Sequence, residues 1–333
     1  MQAQPAINTN RERPAICGSC RVLLTLAFGN RLWYSQYATC PVRRGALTRD
    51  RTRSLSGHQS THFEPLVRSA DNGIEHEGMP LARRSRMVQA HGVDYEQGAD
   101  SYAAHRQIHP GVLQELYQMG QLDSGCRLLE VGCGTGNYAK ALASQVGCVS
   151  FGLDPASVML AHARAQPEGV AWVLGQAERL NFTNDTFDLI FSVDVIHHLS
   201  DKAAFYREVC RSLRPGGRVC TVTDSEEIIR RREILAGYFP ETVEPELARY
   251  PRITQLEAWM AAPGIESLGV VTVTALYKVT NAQPFREKAF SALHLISEAA
   301  WQDGLGRLEG DLGQGPICGS SRYACVWGRK PGS

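Results

Sequence analysis

From residue 126 to residue 223 the apolar positions switch repeatedly between two patterns. Cys126–Val131, Cys148–Leu153, Val170–Leu174, Phe187–Val193 and Arg218–Thr223 are short, nearly continuous apolar runs, as expected of strands covered on both faces. Between them, Tyr138–Val146, Ala156–Ala165 and Lys202–Leu213 carry apolar residues at helical spacing. Pro155 is suited to open the second of these helices, and Arg214-Pro215-Gly216-Gly217 to close the third. Tyr102–Gly120 reads as a leading helix, with Val112, Leu113, Leu116, Tyr117 and Met119 on its apolar side. Beyond residue 224 the pattern predicts helices at Glu226–Ala236, Ile253–Ala261 and Pro284–Trp301, and strands at Leu268–Tyr277 and Tyr323–Trp327.

Strands alternating with helices of this length predict an α/β fold: a doubly wound, Rossmann-like, mostly parallel sheet of seven strands. The last two strands are expected to form an antiparallel edge, with helical insertions after strands five and six. On this reading residues 96–333 are one domain. Its cofactor-binding core is 111–224, and insertions at about 225–265 and 278–319 build a substrate pocket.

Residues 1–95 differ in texture. They hold thirteen Arg, no Lys and seven acidic residues, with no period. They are expected to be a disordered tail, an Arg-rich transit segment, or an extension upstream of a start at Met79 or Met87. The whole chain has 333 residues and a formal charge of +1, which argues against a dedicated nucleic-acid binder. No apolar stretch approaches the roughly 20 residues of a membrane-spanning helix. Of the ten cysteines, Cys126, Cys133, Cys148, Cys210, Cys220 and Cys325 lie in apolar segments and read as buried free thiols of a cytoplasmic protein. Cys17-Gly-Ser-Cys20 has no second ligand pair at zinc spacing, so no metal site is expected.

The chemistry concentrates in Leu128-Leu129-Glu130-Val131-Gly132-Cys133-Gly134-Thr135-Gly136-Asn137. A buried strand runs into three alternate glycines and then a helix, the pattern of a turn pressed against a ligand. The glycines read G-x-G-x-G rather than the dinucleotide G-x-G-x-x-G, and the acid Glu130 precedes them. Asp154 ends the second strand, where its carboxylate can accept hydrogen bonds from two ribose hydroxyls.

At this point the chain resembles the class I S-adenosylmethionine-dependent methyltransferases, in particular the type 11, ubiquinone/menaquinone-biosynthesis-like group. The residues that carry the likeness are LLEVGCGTG at 128–136, GLDPA at 152–156, GQAERLNF at 175–182, FDLIFSVDVIHHL at 187–199 and LRPGG at 213–217. A fainter match is Tyr102-x-x-x-Arg106-x-x-His109-Pro110. The resemblance implies S-adenosyl-L-methionine as cofactor and a small-molecule methyl acceptor. It further implies that Glu130, Gly132, Cys133, Gly134 and Gly136 line the methionine and ribose, and that Asp154 holds the diol. Pro155 or Ala156 then packs near the adenine. Gln176 stands where relatives carry Asp or Asn, with Ala177 and Glu178 completing that side. Ser192 and Val193 lie beneath the methionine, and Arg106 meets its carboxylate or remains an exposed helix residue.

Methyl transfer from a sulfonium asks the protein mainly for alignment, and for a base only when the acceptor must lose a proton. His197 and His198 are the candidate bases, with packing or capping as the alternative. Tyr102, Tyr238, Phe239, Trp259, His294 and Trp301 are candidate acceptor-pocket residues or core. Arg230-Arg231-Arg232 is either a solvated face or a contact for an anionic substrate. A binding protein that keeps the nucleoside pocket without turnover, and a nicotinamide oxidoreductase, are the competing functions.

Overall fold

The computed structural model describes residues 107–165 and 169–332, together with the short antiparallel pairs 27–28 with 31–32 and 89–90 with 93–94. The first pair belongs to a separate compact unit, 17–62. Tyr102, Arg106 and most of the predicted N-terminal tail lie outside the described residues.

Seven strands form one sheet: β1 (Arg127–Val131), β2 (Val149–Asp154), β3 (Val170–Leu174), β4 (Phe187–Val193), β5 (Leu213–Thr223), β6 (Glu266–Val279) and β7 (Ile317–Arg329). Their order is β6-β7-β5-β4-β1-β2-β3. The five strands β1 to β5 pair in parallel, while β7 runs antiparallel to both β5 and β6. The chain therefore makes β6 first, as the outer edge, and later slides β7 between it and β5.

Helices cover both faces. On one side lie α1 (Pro110–Met119) and α2 (Asn137–Val146), packed over Leu128, Leu189, Phe191, Cys220 and Trp327. On the other, α4 (Lys202–Ser212) and α8 (Ile253–Ala261) pack over Leu129, Ile190, Val219 and Val326. Helix α3 (Ser157–Arg164) follows β2. Short helices α5 (Glu226–Arg230), α6 (Leu235–Tyr238) and α7 (Val243–Arg249) fill the first insertion, and α9 (Gln283–Arg286) and α10 (Glu298–Leu312) the second.

The strands β3 and β4 match their predicted limits, as does α8. The leading helix is shorter than predicted among the described residues. It starts at Pro110, because the His109 side chain accepts the Val112 amide and caps it there. The predicted helix 226–236 breaks into α5 and α6. Arg232, expected on a solvated face, turns inward instead and pairs with Asp224 and Glu246. The predicted helix 284–301 is also broken. Lys288 adopts φ +47°, and a fresh helix, α10, begins where the Ser297 hydroxyl accepts the Ala300 amide. Strand β6 is longer than expected and carries a bulge between Ser267 and Gly269.

Two of the expected free thiols are joined. Cys126 and Cys148 face each other at the amino ends of β1 and β2, with Cα atoms 5.0 Å apart, and form a disulfide. Adjacent parallel strands in register bring the two side chains within bonding reach. Cys133, Cys210, Cys220 and Cys325 are free, as expected.

Tyr238 and Phe239 are buried. With Phe285, Leu293, Leu305 and Leu308 they form the core of the insertions, against which Trp301 packs. Trp259 packs on the sheet core, and the His294 ring bonds the Lys288 carbonyl.

Candidate functional site

The carboxyl ends of β1 and β2 lie side by side, with Glu130 paired to Gly152 and Val131 to Leu153. Beyond β1 the chain turns through three left-handed glycines, Gly132 (φ +69°), Gly134 (φ +52°) and Gly136 (φ +75°). A Cβ on Gly132 would fall 2.4 Å from a Val195 methyl, and one on Gly136 2.0 Å from the Trp172 ring. Two of the three glycines are thus required by close packing as well as by backbone sign.

Two carboxylates brace this turn. Asp154 Oδ2 accepts the Gly134 amide and Oδ1 the Ala156 amide, both at 2.8 Å. Glu130 Oε2 accepts the Ala139 amide at 2.9 Å in the first turn of α2. Burial pushes the Asp154 carboxyl above its usual range, against the two amide bonds that pull it down. Cys133 is buried between the two acids. Burial first, and the neighbouring negative charges second, hold its thiol protonated well above the ordinary value.

The cleft above the turn is lined by Gln107, Glu130, Gly132, Cys133, Gly134, Thr135, Asn137, Tyr138 and Val193. Five of the proposed cofactor residues are thereby brought together: Glu130, Gly132, Cys133, Gly134 and Val193. Asp154 reaches the same turn through the Gly134 amide. Gly136 closes the turn from behind, against Trp172. Ala156 is buried and Pro155 exposed beside Asp154. Ser192 points to the opposite face from Val193, as strand alternation requires, and its hydroxyl is buried with no hydrogen-bond partner among the described residues. At the end of β3, Gln176 is exposed and Ala177 buried, while Glu178 Oε1 accepts the Ser200 amide and hydroxyl, each at 3.0 Å.

His197 and His198 stand apart from the cleft lining. His197 is buried and stacks on Tyr250 at 4.0 Å, with the tilted His198 ring 3.9 Å away. Around Tyr250 lies a buried ionic cluster that the sequence reading missed. Arg232 bridges Asp224 and Glu246, and Arg249 Nε donates to Glu246 Oε1 at 2.7 Å. Arg230 and Arg231 remain exposed, paired with Glu244 and Glu227. Burial pushes the Asp224 carboxyl up to about 7, with the Arg232 guanidinium opposing it. Asp194, at φ +58°, bonds its amide to the Val222 carbonyl and accepts the Tyr323 hydroxyl at 2.8 Å. No signal in the local sequence marks Tyr323 or Asp224 as neighbours of the β4 end. Both arrive there by topology.

Among the described residues no cluster of side chains is arranged to hold a metal, and no helix is long and apolar enough to cross a membrane.

Residues 129–221 match a family described as a methyltransferase domain. A phthiotriol/phenolphthiotriol dimycocerosates methyltransferase of Mycobacterium leprae is 40% identical over 99 residues, covering 29% of this chain and 37% of the relative. A ubiquinone biosynthesis O-methyltransferase of Rhizobium etli is 28% identical over 153 residues, covering 43% and 60%. The chain thus spans less than two thirds of these relatives' lengths. A solved structure from Anabaena variabilis, described as a methyltransferase from an antibiotic biosynthesis pathway, aligns at TM-score 0.51 with 22% identity, covering 65% of this chain and 96% of that one. That likeness concerns the fold. Residues 129–221, the segment that carries the glycine turn, are similar to the methyltransferase-domain family.

Proposed function

We propose that the protein transfers a methyl group from S-adenosyl-L-methionine to a small-molecule acceptor. The observation that carries this reading is the charge of the cleft: Glu130 lines it, Asp154 braces its floor, and its described lining residues include no Lys or Arg. A dinucleotide pyrophosphate would face two carboxylates, whereas a sulfonium nucleoside brings positive charge to them. The donor set fits. Each Asp154 oxygen is taken by one amide, and a carboxylate has about four acceptor sites, so two remain for a ribose diol.

In this role Glu130, Gly132, Cys133 and Gly134 border the methionine and ribose, and Gly136 fixes the turn. Asp154 holds the diol, with Pro155 and Ala156 beside the adenine. Gln176, Ala177 and Glu178 form the far rim, Glu178 through its hold on the Ser200 loop. Val193 floors the methionine end, and Ser192 supports it from the other face. Arg106 is proposed to meet the amino-acid carboxylate.

When bound, the cofactor supplies an electrophilic methyl group. The chain's part is to hold both reactants in line and keep water out. The stacking of His197 on Tyr250, inside the ionic cluster, supports a scaffolding role for it rather than that of a base. The names of the relatives, a phthiotriol/phenolphthiotriol dimycocerosates methyltransferase and a ubiquinone biosynthesis O-methyltransferase, support a small-molecule acceptor. The preferred setting remains the cytoplasm.

Calorimetry on the full chain tests this proposal. S-Adenosylmethionine and S-adenosylhomocysteine should bind and NAD should not. NAD binding without either S-adenosyl ligand would overturn it, and S-adenosyl binding with no labelled methyl transferred to any host metabolite would leave a binding protein.

A further inference from the structure

Helix α1 crosses the antiparallel edge of the sheet, and one side chain fixes its start. His109 Nδ1 accepts the Val112 amide at 3.2 Å, so the ring proton sits on Nε2, which donates to the Ser321 carbonyl of β7 at 3.1 Å. The His109 amide donates to the Tyr138 hydroxyl at 2.9 Å. Tyr138 lines the cleft, and so does Gln107, two residues before the ring. The buried imidazole therefore ties the start of the leading helix to the sheet edge, and the backbone amide of the same residue ties that start to Tyr138 of α2. Farther along α1, Glu115 accepts the Trp327 indole N–H, and the Met119 carbonyl accepts Arg218, so the middle and end of the helix are anchored independently.

We propose that His109 is a positioning residue for the cleft: its neutral ring fixes the start of α1, and with it the backbone that carries Gln107 and donates to Tyr138, and its protonation unlatches that start. This goes beyond the cofactor reading above and rests on it only for what the cleft binds. A protonated Nδ1 cannot accept the Val112 amide, so the cap is lost while the Nε2 bond survives. The titratable groups facing the ring are Tyr138 from α2, Tyr323 from β7, edge-on at 5.3 Å, and Asp194 from the end of β4. Burial holds the imidazole below its ordinary value, while the Ser321 carbonyl and the Asp194 charge pull it partly back. Because the folded value is lowered, the contribution to stability is present above the ordinary imidazole pKa of about 6.5 and is lost as pH falls through the folded value.

Hydrogen exchange of the full chain reads the latch without any ligand. Between about pH 7.5 and about pH 5.5, amides of 110–113 should gain about tenfold in exchange beyond the intrinsic chemical change, whereas 116–119 should not. Affinity for S-adenosylhomocysteine should fall several-fold over the same window. In His109→Asn, which keeps a capping oxygen but does not titrate, both steps should vanish. Asp194→Asn, which keeps His109 and removes one charge facing it, should move the exchange midpoint to lower pH. A wild-type chain without the exchange step, a His109→Asn chain that retains it, or an unmoved midpoint in Asp194→Asn would each overturn the proposal. If the exchange step is present and S-adenosylhomocysteine fails to bind at any pH, the latch stands and the reading of the cleft fails.

Discussion

Replacing Asp154 by Asn perturbs the site at its most connected point. The carboxylate accepts two amides, from Gly134 and Ala156, at 2.8 Å each. Asn keeps one acceptor oxygen and turns an NH2 group toward the other amide. One amide near the turn then loses its partner, which costs about 1–3 kcal/mol of stability. The variant also loses acceptor sites for the ribose. If the diol bonds to Asp154, its affinity should fall by a further ~1–3 kcal/mol, roughly 5- to 150-fold in Kd. Calorimetric titration with S-adenosylhomocysteine measures the second quantity, and thermal unfolding without ligand measures the first. Lowered stability with unaltered affinity would refute the ribose assignment and leave Asp154 as a brace of the turn alone. Loss of affinity in Asp154→Ala larger than in Asp154→Asn would support it, since Ala removes every acceptor.

Gly136→Ala should destabilise by at least about 1–3 kcal/mol, because φ is +75° and the new Cβ would meet the Trp172 ring; a melting temperature equal to wild type would contradict the packing. Glu246→Ala should cost about 3–5 kcal/mol, since it leaves Arg249 and Arg232 short of a buried counter-charge, and denaturant unfolding measures it. Asp224 is a raised carboxyl, so the stability it contributes is present below the ordinary value of about 3.9 and lost as pH rises toward about 7; Asp224→Asn should flatten that slope in unfolding curves taken across the window. His197→Ala should lower stability by about 2 kcal/mol with little effect on S-adenosylhomocysteine affinity; a variant with unchanged melting and abolished methyl transfer would restore it as a base.

The parallel half of the fold was legible because each strand is an unbroken apolar run and each helix has a period of its own. The glycine turn was legible because three alternate glycines straight after a buried strand offer the left-handed backbone that other residues resist. The insertions were not, and the reason is local. Arg230-Arg231-Arg232 reads as one solvated stripe, yet Arg232 differs from its neighbours only in what the fold places opposite it. A buried carboxylate such as Glu246, distant in sequence, cannot be inferred from the arginine. The same holds for Cys126 and Cys148, whose union depends on strand register, and for Tyr323, which meets Asp194 only after β7 has threaded inward. His109 looked like a faint family letter rather than a cap, because capping depends on where the helix begins.

The late arrival of β7 has a bearing on how the molecule is made. Trp327 is wholly enclosed, and Lys330 just beyond it bonds Asp185 and the Leu213 carbonyl. Until that tryptophan has left the ribosome, β5 and β6 both lack the strand that each pairs with between them. Synthesis stalled in this stretch should therefore yield insoluble product, and a fusion partner joined after residue 332 would have to wait outside until β7 is in place.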